Sequence, residues 1–161
     1  GEVARNINEL SISRAIDLAA LTLKRFGIEY PHIAVAALNP HAGDNGKFGR
    51  EEIDVIGPVI HNYQQSQMKV TGPWPSDTVF LKAQNREVDA VVTMYHDQGQ
   101  IAMKLMGFER GVTVAGGLPI PIVTPAHGTA FDIAGKGVAS ASATLQAFRL
   151  LLRTRDVNAV I

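Results

Sequence analysis

The sequence predicts an α/β fold in which helices flank a mostly parallel β-sheet. Short, continuously apolar runs typical of buried strands alternate along the chain with segments whose apolar residues recur at helical spacing. Such alternation favours strand-helix-strand units joined by right-handed crossovers. The length of 161 residues suits about one domain, and no repeat or linker interrupts the pattern. We therefore expect residues 1–161 to form a single α/β region.

The first half of the chain predicts two helices and two strands. Apolar residues recur at helical spacing from Ser11 to Phe26, and Gly27 follows the basic pair Lys24-Arg25 as a helix stop would. The segments that follow are predicted as a strand over 32–38, a glycine-rich loop over 39–49, a helix that begins near Arg50 and is kinked at Pro58, and a strand over 68–72.

The second half continues the alternation. Ser76 or Asp77 is the expected cap of a short helix that reaches Ala83. The remaining segments are predicted as a strand over 89–95, a helix over 98–106, a strand over 111–117, a proline-punctuated extended stretch over 120–125, and a last helix from about 140 to 153.

Composition excludes several functional classes. Lys and Arg total 15 and Asp and Glu total 15, so the chain lacks the diffuse basic field of a nucleic-acid binder. The absence of cysteine means that any metal must bind His, Asp or Glu. No apolar run approaches the roughly 20 residues that span a bilayer, and residues 1–10 lack the layout of a signal peptide. We expect a cytoplasmic protein with neither nucleic-acid nor membrane partners.

Two histidines follow predicted strands at equivalent positions. His41 comes after the strand that ends at Leu38, and His96 comes directly after Tyr95. In a parallel sheet both lie at the carboxyl edge, where open α/β folds bind ligands. Imidazole is the commonest metal ligand, and Asp97 or Asp77 could add an oxygen or orient a ring. Two histidines fall short of a complete metal site, so structural hydrogen bonding is an equal alternative.

The segment "HGTAFDIAGKG" (127–137) is a further candidate site. Its backbone amides could cradle a ring or a phosphate, and Asp132 could accept hydrogen bonds from a ribose. It is not a GxGxxG fingerprint, and its spacing favours a helix-connecting loop. Lys104 is a charge on an otherwise apolar helix that starts beside His96; it either snorkels to solvent or binds an anion.

These motifs together resemble the 4-hydroxythreonine-4-phosphate dehydrogenase family (the PdxA family) and its relatives that act on phosphorylated sugar acids. The matching stretches are "LNPHAGDNGKFGREEID", "GPWPSDTVF", "DAVVTMYHDQG", "KLMGFERGV" and "HGTAFDIAGKG". The last stretch also resembles the adenosine-binding loop of isocitrate and isopropylmalate dehydrogenases, so the resemblance implies an isocitrate/isopropylmalate dehydrogenase-like fold.

The resemblance implies a divalent metal (Zn, Mg, Mn or Co) and NAD or NADP as cofactors. The reaction would be oxidation of a secondary alcohol followed by loss of the neighbouring carboxylate as carbon dioxide. The implied roles are metal binding by His41 and His96; catalysis by Asp77, Asp97 and Lys104; substrate binding by Lys104, Thr113 and Ile122; and cofactor binding by His127, Gly128, Thr129 and Asp132.

The resemblance also implies that this chain is incomplete as an enzyme. In the family, the third metal histidine and the first substrate-binding segment precede the position of Gly1. The chain is therefore expected to be the C-terminal part of a longer two-domain dehydrogenase. Because the family is dimeric with its active site at the subunit interface, a homodimer is expected.

Two departures from the family pattern leave the substrate open. Thr113 stands where the family often has an asparagine, and Ile122 stands where it has an arginine. Loss of the arginine removes a bidentate anion clamp. A substrate of the 4-phospho-threonate, 4-phospho-erythronate or ring diol acid type is one alternative, and a catalytically silent binding or oligomerisation domain is another. An isopropylmalate-type enzyme is disfavoured because such enzymes bind their metal through aspartates.

Overall fold

The computed structural model describes residues 2–64, 66 and 68–154. Its helices are α1 (Glu2–Asn6), α2 (Glu9–Arg25), α3 (Gly57–Gln64), α4 (Val79–Gln84), α5 (His96–Gly107) and α6 (Ser142–Leu151). Its strands are β1 (His32–Ala36), β2 (Lys69–Trp74), β3 (Ala90–Val92), β4 (Val112–Ala115) and β5 (Ile122–Pro125). Within the described ranges, no helix is both long and apolar enough to traverse a bilayer.

The first three strands form a parallel sheet in the order β2-β1-β3. In the central strand β1, Ile33 is paired with Val70 of β2 on one side and with Ala90 of β3 on the other. All three strands therefore end at the same edge of the sheet. This part of the molecule confirms the predicted α/β class with a parallel sheet and flanking helices.

Strand β1 separates two apolar cores because its side chains alternate between the two faces of the sheet. Ile33 and Val35 face the core formed with α2 and α3, whereas Ala34 and Ala36 face the core formed with α4. Ile16 of α2 is fully buried in the first of these cores. Helices therefore cover both faces of β1, which explains why its sequence is continuously apolar.

The fourth predicted strand does not join the parallel sheet. Strands β4 and β5 instead form a separate antiparallel pair, in which Thr113 is paired with Thr124. Only residues 116–121 separate the two strands, whereas a parallel crossover needs about a dozen residues. The prediction that the later strands continue the parallel sheet was therefore wrong. The stretch over 120–125, which was predicted only as extended, contains the paired strand β5.

The helix predicted from Arg50 is interrupted before Pro58. A π-helical turn spans Glu52–Ile56, and α3 begins directly after it at Gly57. The N–H of Gly57 donates to the carbonyl of Glu52, and a side chain at Gly57 would approach that oxygen to 2.7 Å. The distortion is thus a widened turn ahead of the proline rather than a kink at the proline.

The predicted cap of α4 was also wrong. Thr78, rather than Ser76 or Asp77, occupies the N-cap position, and its side chain makes no capping bond. Its hydroxyl donates instead to the carbonyl of Pro75 at 3.3 Å. Asp77 is therefore not used in capping α4.

Helices α2 and α3 are also joined by a polar contact. The hydroxyl of Tyr63 donates to Asp17 Oδ1 at 2.8 Å, and the carbonyl oxygen of Ser13 lies 3.2 Å from the same hydroxyl. Burial and the neighbouring Asp17 carboxylate raise the pKa of Tyr63 to about 12. The neutral phenol is thus the form that the folded protein stabilises.

Candidate functional site

The two candidate metal-binding histidines follow neighbouring strands of the parallel sheet. β1 and β3 are directly paired, and the chain reaches His41 shortly after β1 and His96 shortly after β3. Both side chains are exposed at the carboxyl edge of the sheet. The strand order therefore agrees with the expectation from the sequence that both histidines lie at the carboxyl edge of a parallel sheet.

His41 lies in a loop with unusual backbone handedness. Residues 41–46 all have positive φ, with values of 54° at His41 and 84° at Gly43. Residues other than glycine rarely adopt this conformation, which costs about 1–2 kcal/mol at each such position. The His41 ring also lies 6.0 Å from the ring of Phe48, centroid to centroid. The loop therefore presents His41 in a strained conformation that its surroundings must stabilise.

Glu52 provides that stabilisation, and the sequence reasoning did not find it. Its side chain is only 5% exposed. One carboxylate oxygen accepts the main-chain N–H groups of Leu38 and Asn39, both at 2.8 Å, and the other accepts the Asn39 side-chain amide at 2.9 Å. The signal that could have found it is an acidic residue shortly after a glycine-rich loop.

His96 is the first residue of α5 and is paired with its neighbour. Its Nδ1 lies 2.9 Å from Asp97 Oδ1, and the two side chains are 77% and 71% exposed. Because a carboxylate only accepts, Nδ1 carries the proton in this bond, which leaves Nε2 free to ligate a metal. Metal-binding histidines commonly have such a carboxylate partner.

Gln98 connects the ends of β1 and β3, and it too was missed. Its side-chain oxygen accepts the main-chain N–H of Met94 at 2.8 Å, and its side-chain nitrogen donates to the carbonyl of Ala37 at 2.9 Å. The sequence analysis placed Gln98 at the start of the helix predicted over 98–106 and gave it no role, because nothing local indicates which carbonyl a glutamine will reach.

The side chains at this edge provide some, but not all, of the ligands that a divalent cation requires. His41 and His96 supply two imidazoles, and Asp97 supplies an orienting carboxylate. Across residues 2–64, 66 and 68–154, however, no three His, Asp or Glu side chains converge closely enough to hold an ion. A protein metal site usually needs three protein ligands, so a metal at this edge would require at least one further ligand.

Asp77 and Asp97 line the same cavity, although they are distant in sequence. This cavity, of about 360 Å³, lies between α4 and α5. Most of its other lining is apolar and includes Phe80, Ile101 and Leu105. Two carboxylates beside an apolar wall are suited to proton transfer on a small molecule. Lys104 is exposed on the same helix but does not line this cavity.

Thr113 and Ile122 lie on one face of the β4-β5 hairpin. Thr113 is paired with Thr124, and Ala115 is paired with Ile122, so all four side chains share the exposed face of the hairpin. Ile122 is 44% exposed. The two positions that depart from the family pattern therefore belong to a single surface.

The segment 127–137 connects β5 to α6, so the prediction of a helix-connecting loop was wrong. His127 Nδ1 donates to the carbonyl of Gly128 at 2.9 Å, and Asp132 lies in a short 3₁₀ turn (Phe131–Ile133). Thr129 is exposed, as are His127 and Asp132. The loop thus follows a strand and precedes a helix, and its candidate cofactor-binding side chains are open to solvent.

Comparisons with known proteins identify the family to which this chain belongs. The family model described as pyridoxal phosphate biosynthetic protein PdxA matches residues 1–151. A Pseudomonas aeruginosa protein with the provisional name 4-hydroxythreonine-4-phosphate dehydrogenase 2 is 57% identical over 154 residues, which cover 94% of this chain and 46% of that protein. The 4-hydroxythreonine-4-phosphate dehydrogenase of Beijerinckia indica is 49% identical, covering 88% and 42%.

Solved structures give the same result. The 4-hydroxythreonine-4-phosphate dehydrogenase of Klebsiella pneumoniae matches with a TM-score of 0.82 and 42% identity, covering 96% of this chain and 47% of that one. A terephthalate 1,2-cis-dihydrodiol dehydrogenase from Burkholderia xenovorans matches with a TM-score of 0.64 and 32% identity, covering 94% and 48%. The chain therefore spans less than half the length of these relatives.

Proposed function

Since the chain belongs to the PdxA family of pyridoxal phosphate biosynthetic proteins, we propose that it forms part of a metal- and NAD(P)-dependent dehydrogenase. The substrate is a phosphorylated hydroxy acid of the 4-hydroxythreonine 4-phosphate type, which is oxidised at a secondary alcohol and then decarboxylated. The observation that carries this proposal is that His41 and His96 follow directly paired parallel strands, with Asp97 hydrogen-bonded to His96.

Each residue at the carboxyl edge has a role in this proposal. His41 and His96 hold a divalent cation such as Zn²⁺, Mg²⁺, Mn²⁺ or Co²⁺, and Asp97 keeps the His96 ring in the tautomer that leaves Nε2 free. When bound, the cation polarises the reacting oxygen and stabilises the negative charge left by decarboxylation, while nicotinamide accepts the hydride. Asp77 or Asp97 accepts the hydroxyl proton, because both line the same cavity.

The remaining candidate residues bind the two organic molecules. Lys104 interacts with an anionic group of the substrate, and the hairpin face that carries Thr113 and Ile122 contacts its other end. The loop over 127–132 receives the adenosine of NAD or NADP, with Asp132 accepting hydrogen bonds from the ribose. A fold like that of isocitrate and isopropylmalate dehydrogenases is part of this proposal.

We also propose a cytoplasmic homodimer with the active site at the subunit interface. Two features support it: the two histidines are too few ligands for a complete metal site, and α5 carries exposed apolar side chains beside the cavity. Ile101 is 59% exposed and Leu105 is 83% exposed. Both residues could be covered by a partner subunit.

A second candidate is a related dehydrogenase that acts on 4-phospho-threonate, 4-phospho-erythronate or a ring diol acid. Thr113 and Ile122 favour it, because a surface without the arginine clamp suits a different acid group. The likeness to a terephthalate dihydrodiol dehydrogenase is a further reason to test this substrate class.

The test is an NAD(P)H absorbance assay of the complete protein with each of these substrates, with and without a chelator. We expect turnover of a phosphorylated hydroxy acid that the chelator abolishes and added cation restores. Preference for a ring diol acid would favour the second candidate. Cofactor binding without turnover of any substrate would instead favour a catalytically silent binding or oligomerisation domain.

An Ile122→Arg variant sharpens the assignment of the substrate. Because Ile122 is 44% exposed, an arginine fits there without disturbing a core. If the hairpin contacts the substrate, this change should raise kcat/KM for 4-hydroxythreonine 4-phosphate relative to the diol acid. An Ile120→Arg variant is the matched control, since Ile120 is 68% exposed and precedes β5.

A further inference from the structure

Gln98 makes two hydrogen bonds that require opposite properties at its two side-chain atoms. The main-chain N–H of Met94 requires an acceptor, which is Gln98 Oε1. The main-chain carbonyl of Ala37 requires a donor, which is Gln98 Nε2. A neutral amide is the side-chain group that supplies both from one planar end. The orientation of the Gln98 amide is therefore fixed by its two partners.

These bonds join the exits of all three parallel strands. Met94 follows β3, and Ala37 directly follows β1. Ala37 also donates its own N–H to the carbonyl of Trp74, the last residue of β2, at 2.7 Å. Gln98 thus completes a hydrogen-bonded row across the carboxyl edge of the sheet.

The same row leads directly to both candidate metal ligands. Beyond Ala37, Glu52 holds the main-chain N–H groups of Leu38 and Asn39, and the loop then reaches His41. Gln98 itself lies in the first turn of α5, two residues after His96. One half-buried side chain therefore connects the two segments that carry the histidines.

We propose that Gln98 is a positioning residue that fixes the separation of the His41 and His96 imidazoles for a divalent cation. This inference rests on the proposed function, because it assumes that the two histidines share a metal. Gln98 does not touch the cation; it acts by holding the backbone on either side at a constant distance. Its loss lets the ends of β1 and β3 move apart and weakens metal binding.

The test is a Co²⁺ titration of the complete protein, followed by the visible absorption of the bound ion. The variants are Gln98→Met, which keeps the length and loses both hydrogen bonds, and Gln98→Glu, which keeps the acceptor for Met94 but opposes the Ala37 carbonyl with an oxygen. We expect both variants to bind Co²⁺ on the order of tenfold more weakly, as when other supports of metal ligands are removed.

The matched control is Gln100→Met on the same helix, because within the described residues the Gln100 side chain makes no hydrogen bond. This variant should bind Co²⁺ as the unmodified protein does. Amide hydrogen exchange at Met94 reports the hydrogen bond independently and should quicken in Gln98→Met.

Each remaining outcome overturns a stated claim. If both Gln98 variants bind Co²⁺ as tightly as the wild type, yet unfold at a lower temperature or exchange faster at Met94, Gln98 has only a structural role. That outcome overturns the positioning role and leaves the proposed function standing. Absence of Co²⁺ binding by the unmodified protein overturns the proposed function, and the positioning role with it.

Discussion

Asn39 makes two hydrogen bonds to the buried carboxylate of Glu52. Its main-chain N–H donates to Oε1 at 2.8 Å, and its side-chain amide donates to Oε2 at 2.9 Å. The positions of the two residues in the chain explain the importance of this contact. Asn39 lies three residues after the end of β1, and Glu52 begins the π-helical turn before α3. The contact therefore closes the base of the loop that carries His41.

Replacing Glu52 with glutamine should destabilise this loop and the fold. The new amide group turns a donor toward the nitrogens of Leu38 or Asn39, so at least one buried N–H loses its acceptor, at a cost of about 1–3 kcal/mol. The free energy of unfolding from urea titration measures this. Asp54→Asn is the control, because its ion pair with Arg50 is exposed and solvent screens such pairs, so that they contribute little to stability. Equal effects of the two changes would contradict the role of Glu52.

Gly43→Ala should also destabilise the protein, for two separable reasons. Gly43 has a φ of +84°, and an added Cβ would lie 2.7 Å from Glu52 Oε2. Gly135 has a similar φ of +76°, but an added Cβ there meets nothing within 4 Å. Gly135→Ala therefore measures backbone strain alone, about 1–2 kcal/mol. We expect a larger loss in urea stability for Gly43→Ala, and no difference would mean that Glu52 moves aside freely.

His96→Ala should abolish stoichiometric binding of a divalent cation by the complete protein. Asp97→Asn should weaken binding by about 10–100-fold, because it removes the carboxylate that fixes the imidazole tautomer. Elemental analysis after dialysis and calorimetric titration give the two measurements. His61→Ala is the control, since His61 lies on α3, where its ring is 3.3 Å from Gln64 Oε1. Full metal occupancy in His96→Ala would exclude His96 as a ligand.

The contact between Tyr63 and Asp17 should make stability depend on pH in the alkaline range. The pKa of Tyr63 is raised from 10.0 to about 12 in the folded protein. The stabilisation is therefore fully present below pH 10 and is lost as pH rises from 10 through about 12, because the unfolded chain ionises first. The free energy of unfolding should fall over that window more steeply in the wild type than in Tyr63→Phe. Parallel curves for the two proteins would refute the coupling.

The sequence was sufficient to predict those elements in which the spacing of apolar residues matches the pattern of burial. The continuous apolar run after Pro31 is buried on both faces as β1, and the helical spacing of Ile12 and Ile16 defines the buried face of α2. The shared edge of His41 and His96 followed from the parallel order alone. These are features that the periodicity of a short segment determines.

The sequence was insufficient where a partner distant in the chain decides the outcome. Val112–Ala115 resembles any buried strand, and its antiparallel partner is chosen by the short connection to β5. The roles of Glu52 and Gln98 depend on main-chain groups that only the folded sheet brings within reach. A glutamine side chain has many such partners available, so its position in the sequence does not indicate which one it will bind.

The backbone over 41–46 is close to the mirror image of an ordinary right-handed turn, because every residue in it has positive φ. Amino acids of the opposite chirality prefer that geometry. Semisynthesis with D-aspartate at Asp44 or D-asparagine at Asn45 would keep the side-chain chemistry and remove the backbone strain at these positions. Chirality is thus a variable by which the rigidity around His41 can be tuned independently of its charge and size.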